Sequence, residues 1–279
     1  MFVKRTDAPK GMSYRQMACK AVVATISDLA AKGVKPLALL SSVGFPLTYS
    51  SDIVEELAKG LDDTAREYGT TIIGGDTNEA EDLIIDIIGF GLIDKTEILL
   101  RSGAKEGDIL ATTGTFGETA AGLKILQENL TTDKHIATSF MEKVYSPRAQ
   151  LKEGLALAQS KFLTSSIDSS DGLAWSLHEI SRSSHVGFTV TDIPLGEGVT
   201  TFAELNGLDP YTLALYGGEE YNLVFTVVKE KWADIEKIIL KLGGRLFMIG
   251  YATRQLDLVF KSSAKDMTIH PSGWEHFHK

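Results

Sequence analysis

The chain has 279 residues, 43% hydrophobic and 23% charged with 26 glycines, a soluble globular composition long enough for two ordinary domains and with little room for disorder. A formal net charge of −9 excludes a general binder of nucleic-acid backbones, and an acidic protein that handles phosphate needs metal. The single cysteine, Cys19, excludes an intrachain disulfide framework and a Cys-cluster metal site.

The opening MFVKRTDAPKGM has no apolar run of signal-peptide length, and no later segment approaches the ~20 apolar residues of a membrane span, so the expected setting is the cytoplasm. Ser13 reads as the N-cap of a helix reaching Lys32, with Met17, Ala21, Ala24, Asp28 and Ala31 near one face and Gly33 as the stop. Residues 36–46 are an apolar run expected as a strand. Ile53, Leu57, Gly60, Leu61 and Ala65 then recur at helical spacing over 51–68, closed by Gly69. A short buried strand at 70–73 leads into Gly74-Gly75-Asp76-Thr77, a β-rich run covers 82–93, and 109–113 adds a strand. A helix over 118–128 precedes a polar connection, 129–147, carrying a short helix. The second half repeats the rhythm with helices at 148–160, 173–183 and 231–242 and strands at 165–167, 187–191, 221–228, 246–252 and 256–260. This alternation predicts an α/β (α+β) fold in two domains, residues 1–114 and 115–279, each a sheet with flanking helices. No short repeat period is present, which excludes solenoids.

Gly74-Gly75-Asp76-Thr77 follows a strand directly, where glycines let the backbone approach a ligand and a carboxylate at a strand's end suits metal; a Gly-Gly turn with a solvated acid is the plain alternative. The segment Ile167-Asp168-Ser169-Ser170-Asp171-Gly172-Leu173 packs two carboxylates and two hydroxyls into a strand-to-helix turn. Free N–H groups there favour anionic oxygens, although Ser170 or Asp171 could instead be a simple N-cap. Asp28 sits among apolar neighbours, where a carboxylate needs a cation or a donor. Mg²⁺ takes oxygen ligands and is held by a few carboxylates together with substrate phosphates, a need that Asp28, Asp76, Asp168 and Asp171 suit. Arg101, in Arg101-Ser102-Gly103-Ala104, suits a bidentate phosphate clamp. Glu219, after Gly217-Gly218, offers an acceptor beside flexible backbone, and Gly114-Thr115-Phe116-Gly117 is a weaker phosphate candidate. A Gly-Lys-Ser/Thr phosphate loop and a kinase catalytic-loop signature are both absent from the sequence, and His135, His178 and His185 lack metal-ligand spacing.

Taken in order, ISDLAAKG, GGDT, RSGA, DSSDGL, GGEEYNL and GWEHF resemble the thiamine-monophosphate kinase family over residues 26–277. The first four elements alone resemble the wider superfamily of aminoimidazole ribonucleotide synthetase, selenophosphate synthetase and a hydrogenase-maturation enzyme; RSGA with the GWEHF tail narrows it. The resemblance implies ATP-dependent phosphorylation of thiamine monophosphate to thiamine diphosphate by direct in-line transfer, with positioning and charge neutralisation doing the catalysis. It implies Asp28, Asp76, Asp168 and Asp171 as Mg²⁺ ligands, Gly75, Arg101 and Ser170 as ATP contacts, and Asp7, Glu219 and Trp274 as substrate contacts. Trp274 suits a cationic thiazolium, which an indole face attracts.

The resemblance also implies a homodimer whose N-terminal sheets pair into a barrel, with ATP near that interface. The family pattern carries a Gly-Asp-Asp segment and a further aspartate ahead of the stretch matching 1–7, so a site short of those ligands is expected here. A smaller departure is Glu220-Tyr221-Asn222, where the family reads Asp-Tyr-Glu. Two alternatives stand beside the kinase: a related ATP-dependent synthetase of the superfamily, and a nucleotide-binding dimer without catalysis.

Overall fold

The computed structural model describes residues 1–262 and 266–273. The chain opens with β1 (Phe2–Val3) and α1 (Lys4–Asp7) and enters α2 (Tyr14–Ala31) through a capping box. Gln16 N–H donates to Ser13 Oγ, and Ser13 N–H donates to the Gln16 side chain. Gly33, at φ +70°, ends the helix where a Cβ would lie 2.2 Å from Ala158 Cβ, so both the turn and the packing require glycine.

After α2 come β2 (Lys35–Phe45), α3 (Ser51–Glu67), β3 (Ile72–Glu79) and β4 (Ile84–Leu92). They build a four-stranded sheet in the order β1-β4-β2-β3, with β2 antiparallel to β4 and parallel to β3. Leu39, Val43, Ile85 and Ile87 pack under Val22 and Ile26 of α2 and Leu57 and Leu61 of α3. The opposite face is open: Ile88, Phe90 and Leu92 alternate outward along β4, and Leu37 and Ile73 on neighbouring strands are also exposed. The strand expected to be short and buried at 70–73 is instead this sheet's edge. It runs on through Gly74-Gly75-Asp76-Thr77 to Glu79, because β2 offers backbone partners along that whole length, and nearly all of it is exposed.

The rest of the chain supplies β5 (Ile109–Thr112), α4 (Glu118–Glu128), α5 (Lys134–Tyr145), α6 (Leu151–Ser160), β6 (Leu163–Asp168) and α7 (Leu173–Ser184). These are followed by β7 (Gly187–Val190), α8 (Val199–Leu205), α9 (Pro210–Tyr216), β8 (Leu223–Val227), α10 (Trp232–Lys241), β9 (Phe247–Thr253), β10 (Leu258–Lys261) and β11 (Asp266–Thr268). Their strands form a seven-stranded sheet, β11-β10-β7-β9-β5-β8-β6, antiparallel except between β7 and β10. Both faces carry helices: α7 and α9 cover Leu110, Val224 and Ile249, while α6 and α10 cover Ile109, Ala111, Phe225 and Val227. The strand at 109–112, read from sequence with the first domain, runs inside this second sheet between β9 and β8. The cluster under α6 and α10 is continuous with the one under α2 and α3. This shared core brings α2 against the C-terminal end of β6.

Candidate active site

That contact joins two of the expected aspartates. Ser27, buried on α2, donates from Oγ to Asp168 Oδ2 at 2.7 Å, and Asp28 follows it on the helix. Asp168 ends β6 at 6% exposure. Its burial, reinforced by the charges of Asp28 and Asp171, pushes its carboxyl up to about 6. Asp28 reaches solvent, yet partial burial still raises its carboxyl; the charges of Arg101 and Lys32 oppose the rise. The N-cap of α7 is Gly172, at φ +111° and without a side-chain cap, so the simple capping role considered for Ser170 or Asp171 is not the one taken. Asp28, Arg101, Asp168, Ser170, Asp171 and Glu179 thus surround one strongly polar cavity of about 370 Å³.

Arg101 is held over this cavity by two local devices. Its Nη1 lies 3.3 Å from Glu179 Oε2 on α7. Ser184 Oγ donates to the Arg101 carbonyl and accepts from the N–H groups of Gly103 and Ala104. Gly103, at φ +124°, turns the chain where a Cβ would lie 2.3 Å from the Thr164 carbonyl oxygen.

A second cavity, of about 230 Å³, shares Ser170 and Asp171 with the first. Its wall is more apolar than that of the first, with Phe2, Ala21, Ala24, Ile85 and Ile87, and carries Asp7, Lys20 and Glu219 among them. Glu219 and Tyr221 hold left-handed backbone at φ +67° and +53°. Their N–H groups donate to the carbonyls of Ser170 (2.7 Å) and Ser169 (3.0 Å), which ties this loop to the aspartate turn. Gly218 permits the approach, since a Cβ there would lie 2.7 Å from the Ser170 carbonyl oxygen. Glu219 Oε1 pairs with Lys20 Nζ at 2.6 Å, while Glu219 Oε2 is buried without a hydrogen-bond partner among the described residues. The Asp7 carboxylate accepts from Val3 N–H at 2.7 Å.

Gly75 and Asp76 stand apart, lining neither cavity, on the exposed edge β3. Gly75, at φ +148°, is required for a reason other than ligand approach, because a Cβ would lie 1.7 Å from the Ser41 carbonyl oxygen of β2. Among the described residues, no three of His, Cys, Asp and Glu converge closely enough to hold a metal ion unaided. Trp274 lies outside the described residues; Gly273 before it packs against the Asp171 carbonyl. In the Gly114-Thr115-Phe116-Gly117 loop two N–H groups are taken by the protein, Gly117 donating to Glu220 at 2.8 Å and Phe116 to the Pro194 carbonyl at 2.8 Å, and Gly114 packs on the Asn222 side chain.

Lys20, Ser27 and Glu179 were missed by sequence reasoning. For the first two a signal existed: seven residues apart, they lie on one stripe of α2, polar positions within an apolar face. Glu179 is an ordinary helical acid until the fold brings Arg101 to it.

Residues 1–93 match the family described as AIR synthase related protein, N-terminal domain. The thiamine-monophosphate kinase of Nitrosopumilus maritimus is 34% identical over 99% of this chain and 86% of its own length. That of Pyrococcus horikoshii is 36% identical over 99% and 84%. The chain belongs to the thiamine-monophosphate kinase family. AaThiL complexed with AMPPCP and TMP shares the fold at a TM-score of 0.86 and 24% identity, covering 99% of this chain and 85% of that one. Among the described residues, no helix is long and apolar enough to cross a membrane.

Proposed function

We propose that the chain transfers the γ-phosphoryl group of ATP directly onto thiamine monophosphate, giving thiamine diphosphate and ADP, with Mg²⁺. The observation that carries this reading is the pair of cavities meeting at Ser170 and Asp171. One is polar and rich in hard oxygen donors beside an arginine, suited to a metal-bound polyphosphate. The other mixes apolar side chains with carboxylates, suited to an aromatic cation. A phosphate standing between them would be shared by both. The family's name, and the AMPPCP and TMP that AaThiL holds, support the two substrates.

The aspartates fit the metal. Asp168 is pushed toward its neutral form by burial and by neighbouring acids, a setting that a divalent cation relieves. Asp28, Asp168 and Asp171 would hold Mg²⁺, with phosphate oxygens and water completing its shell. Bound there, Mg²⁺ supplies neutralisation of the two anions that must approach each other. Arg101 would orient the ATP phosphates from the position Glu179 gives it, with Ser170 as a further contact and Gly75 as a contact from β3. Asp7, Glu219 and Trp274 are the proposed substrate contacts.

Asp76 is the remaining proposed ligand, and its edge position accords with a homodimer. The open apolar face of Leu37, Ile88, Phe90 and Leu92 and the unpaired edge β3 are features a second copy would cover, with ATP close to that interface. We place the enzyme in the cytoplasm and propose an N-terminal functional half built on the first sheet and a C-terminal half built on the second, which takes β5 with it. The test is thiamine diphosphate formation from ATP and thiamine monophosphate with Mg²⁺; no product under any Mg²⁺ concentration would sink the reading. Sedimentation at micromolar protein tests the dimer, and a monomer throughout would remove it.

A further inference from the structure

We infer that Lys20 is a positioning residue of the second cavity, fixing which oxygen of Glu219 is presented to substrate; this deepens the kinase reading and rests on it. Lys20 is 4% exposed, on the part of α2 that also buries Ala18, Ala21 and Val22. A buried ammonium is tolerated only when its charge and its donors are met. Here Nζ is 2.6 Å from Glu219 Oε1, donates to the Asp7 carbonyl at 2.9 Å, and stands 5.9 Å from the centre of the Phe2 ring. One cation therefore ties α2 to the segment 2–7 and to Glu219, which is about 200 positions away, all lining the same cavity.

The pairing leaves the Glu219 carboxylate divided. Oε1 is taken by Lys20, while Oε2 is buried and has no donor among the described residues. A buried carboxylate oxygen in that state is an acceptor built for a ligand. The left-handed backbone of Glu219 makes its direction depend on such ties. Thiamine carries one N–H donor group, the amino group of its pyrimidine ring, and that group is assigned to Glu219 Oε2. Lys20 thereby acts on selectivity for the amino group without touching the substrate.

Steady-state kinetics of Lys20→Gln, Lys20→Arg, Glu219→Gln and the Lys20→Gln/Glu219→Gln double variant test this, with circular dichroism verifying folding. Lys20→Gln is expected to raise KM for thiamine monophosphate about 10- to 100-fold, the loss of a charge-assisted hydrogen bond, and to leave KM for ATP within about threefold. The double variant should be no worse than the poorer single one, and Lys20→Arg, which keeps the charge, should fall between Lys20→Gln and wild type. Discrimination against oxythiamine monophosphate, which has an oxo group in place of the amino group, should fall equally in Lys20→Gln and Glu219→Gln. An unchanged KM for thiamine monophosphate in a folded Lys20→Gln or Lys20→Arg protein, or effects that multiply in the double variant, would overturn the inference.

Wild-type enzyme that never phosphorylates thiamine monophosphate defeats the kinase reading separately. The tie is then judged on ligand-free crystal structures, where Glu219 is expected to leave its wild-type position in Lys20→Gln, and an unmoved Glu219 overturns the inference.

Discussion

Asp168 and Glu220 lie at the same end of the β6 and β8 pair, and burial lifts both carboxyls, to about 6 and about 7. Each also has another acid beside it, Asp28 in one case and Glu118 in the other. Their donors differ. Glu220 accepts from Gly117 N–H (2.8 Å), Thr119 N–H (3.2 Å) and Thr119 Oγ (3.1 Å), standing in for the side-chain cap that α4 lacks. Asp168 receives one side-chain donor, Ser27, and faces a cavity with two further aspartates on its wall. A desolvated acid whose donors come from the fold is part of the frame. One left short of them beside open space is where a cation or ligand belongs.

The sharpest way to break this comparison is Asp168→Asn. Asparagine keeps the acceptor for Ser27 and deletes the charge, so phosphoryl transfer should fall about a thousandfold or more while the thermal midpoint at neutral pH holds or rises. Retained activity would put Asp168 in the frame beside Glu220. Asp76→Asn comes next, with a loss of about a hundredfold expected if it is a metal ligand. Its melting midpoint should not move, because Asp76 is exposed on an edge strand and, among the described residues, its side chain accepts only from the adjacent Thr77 N–H.

Third is Glu220→Ala, which removes acceptors from three donors at the start of α4 and should cost about 1–3 kcal/mol of stability in a denaturant titration. Activity should fall less than in either aspartate variant, through loosening of Glu219 next to it. An activity loss as large as that of Asp168→Asn, with stability intact, would reverse the assignment of the two acids.

What the sequence made legible was local. Ser13 marked the start of α2, and Asp168-Ser169-Ser170-Asp171-Gly172 marked a strand-to-helix turn, because the neighbours that define each are within a few residues. The partners of Lys20 and Glu220 were not legible, since Glu219 and the 117–119 turn stand about 200 and 100 positions away. Strand β3 reads as buried from Ile72-Ile73, yet burial depends on which strands flank it, and only one does. The place of β5 was hidden for the same reason, its partners β8 and β9 following more than a hundred residues later. Helices α8 and α9 are seven residues each, too short for their periodicity to be read.

The smallest expected effect separates the two acids by pH. Their ordinary values are 3.8 for Asp168 and 4.5 for Glu220, and both are raised in the folded chain, which therefore holds these protons more tightly than the unfolded chain. The cost of burying each charge is absent below the ordinary value, grows as pH rises through the interval up to the folded value, and is complete above it. From these two groups alone, the ligand-free protein should lose stability between about pH 4 and about pH 7. Glu220→Gln should flatten the upper part of that profile and leave the Mg²⁺ requirement untouched. Mg²⁺ with a non-hydrolysable ATP analogue should flatten the lower part instead, because a carboxylate held by a cation stays ionised in the fold. Thermal melts across that range, with and without Mg²⁺ and the analogue, measure both contributions. If Glu220→Gln abolished the Mg²⁺ effect, the acid at the α4 terminus would belong to the site after all.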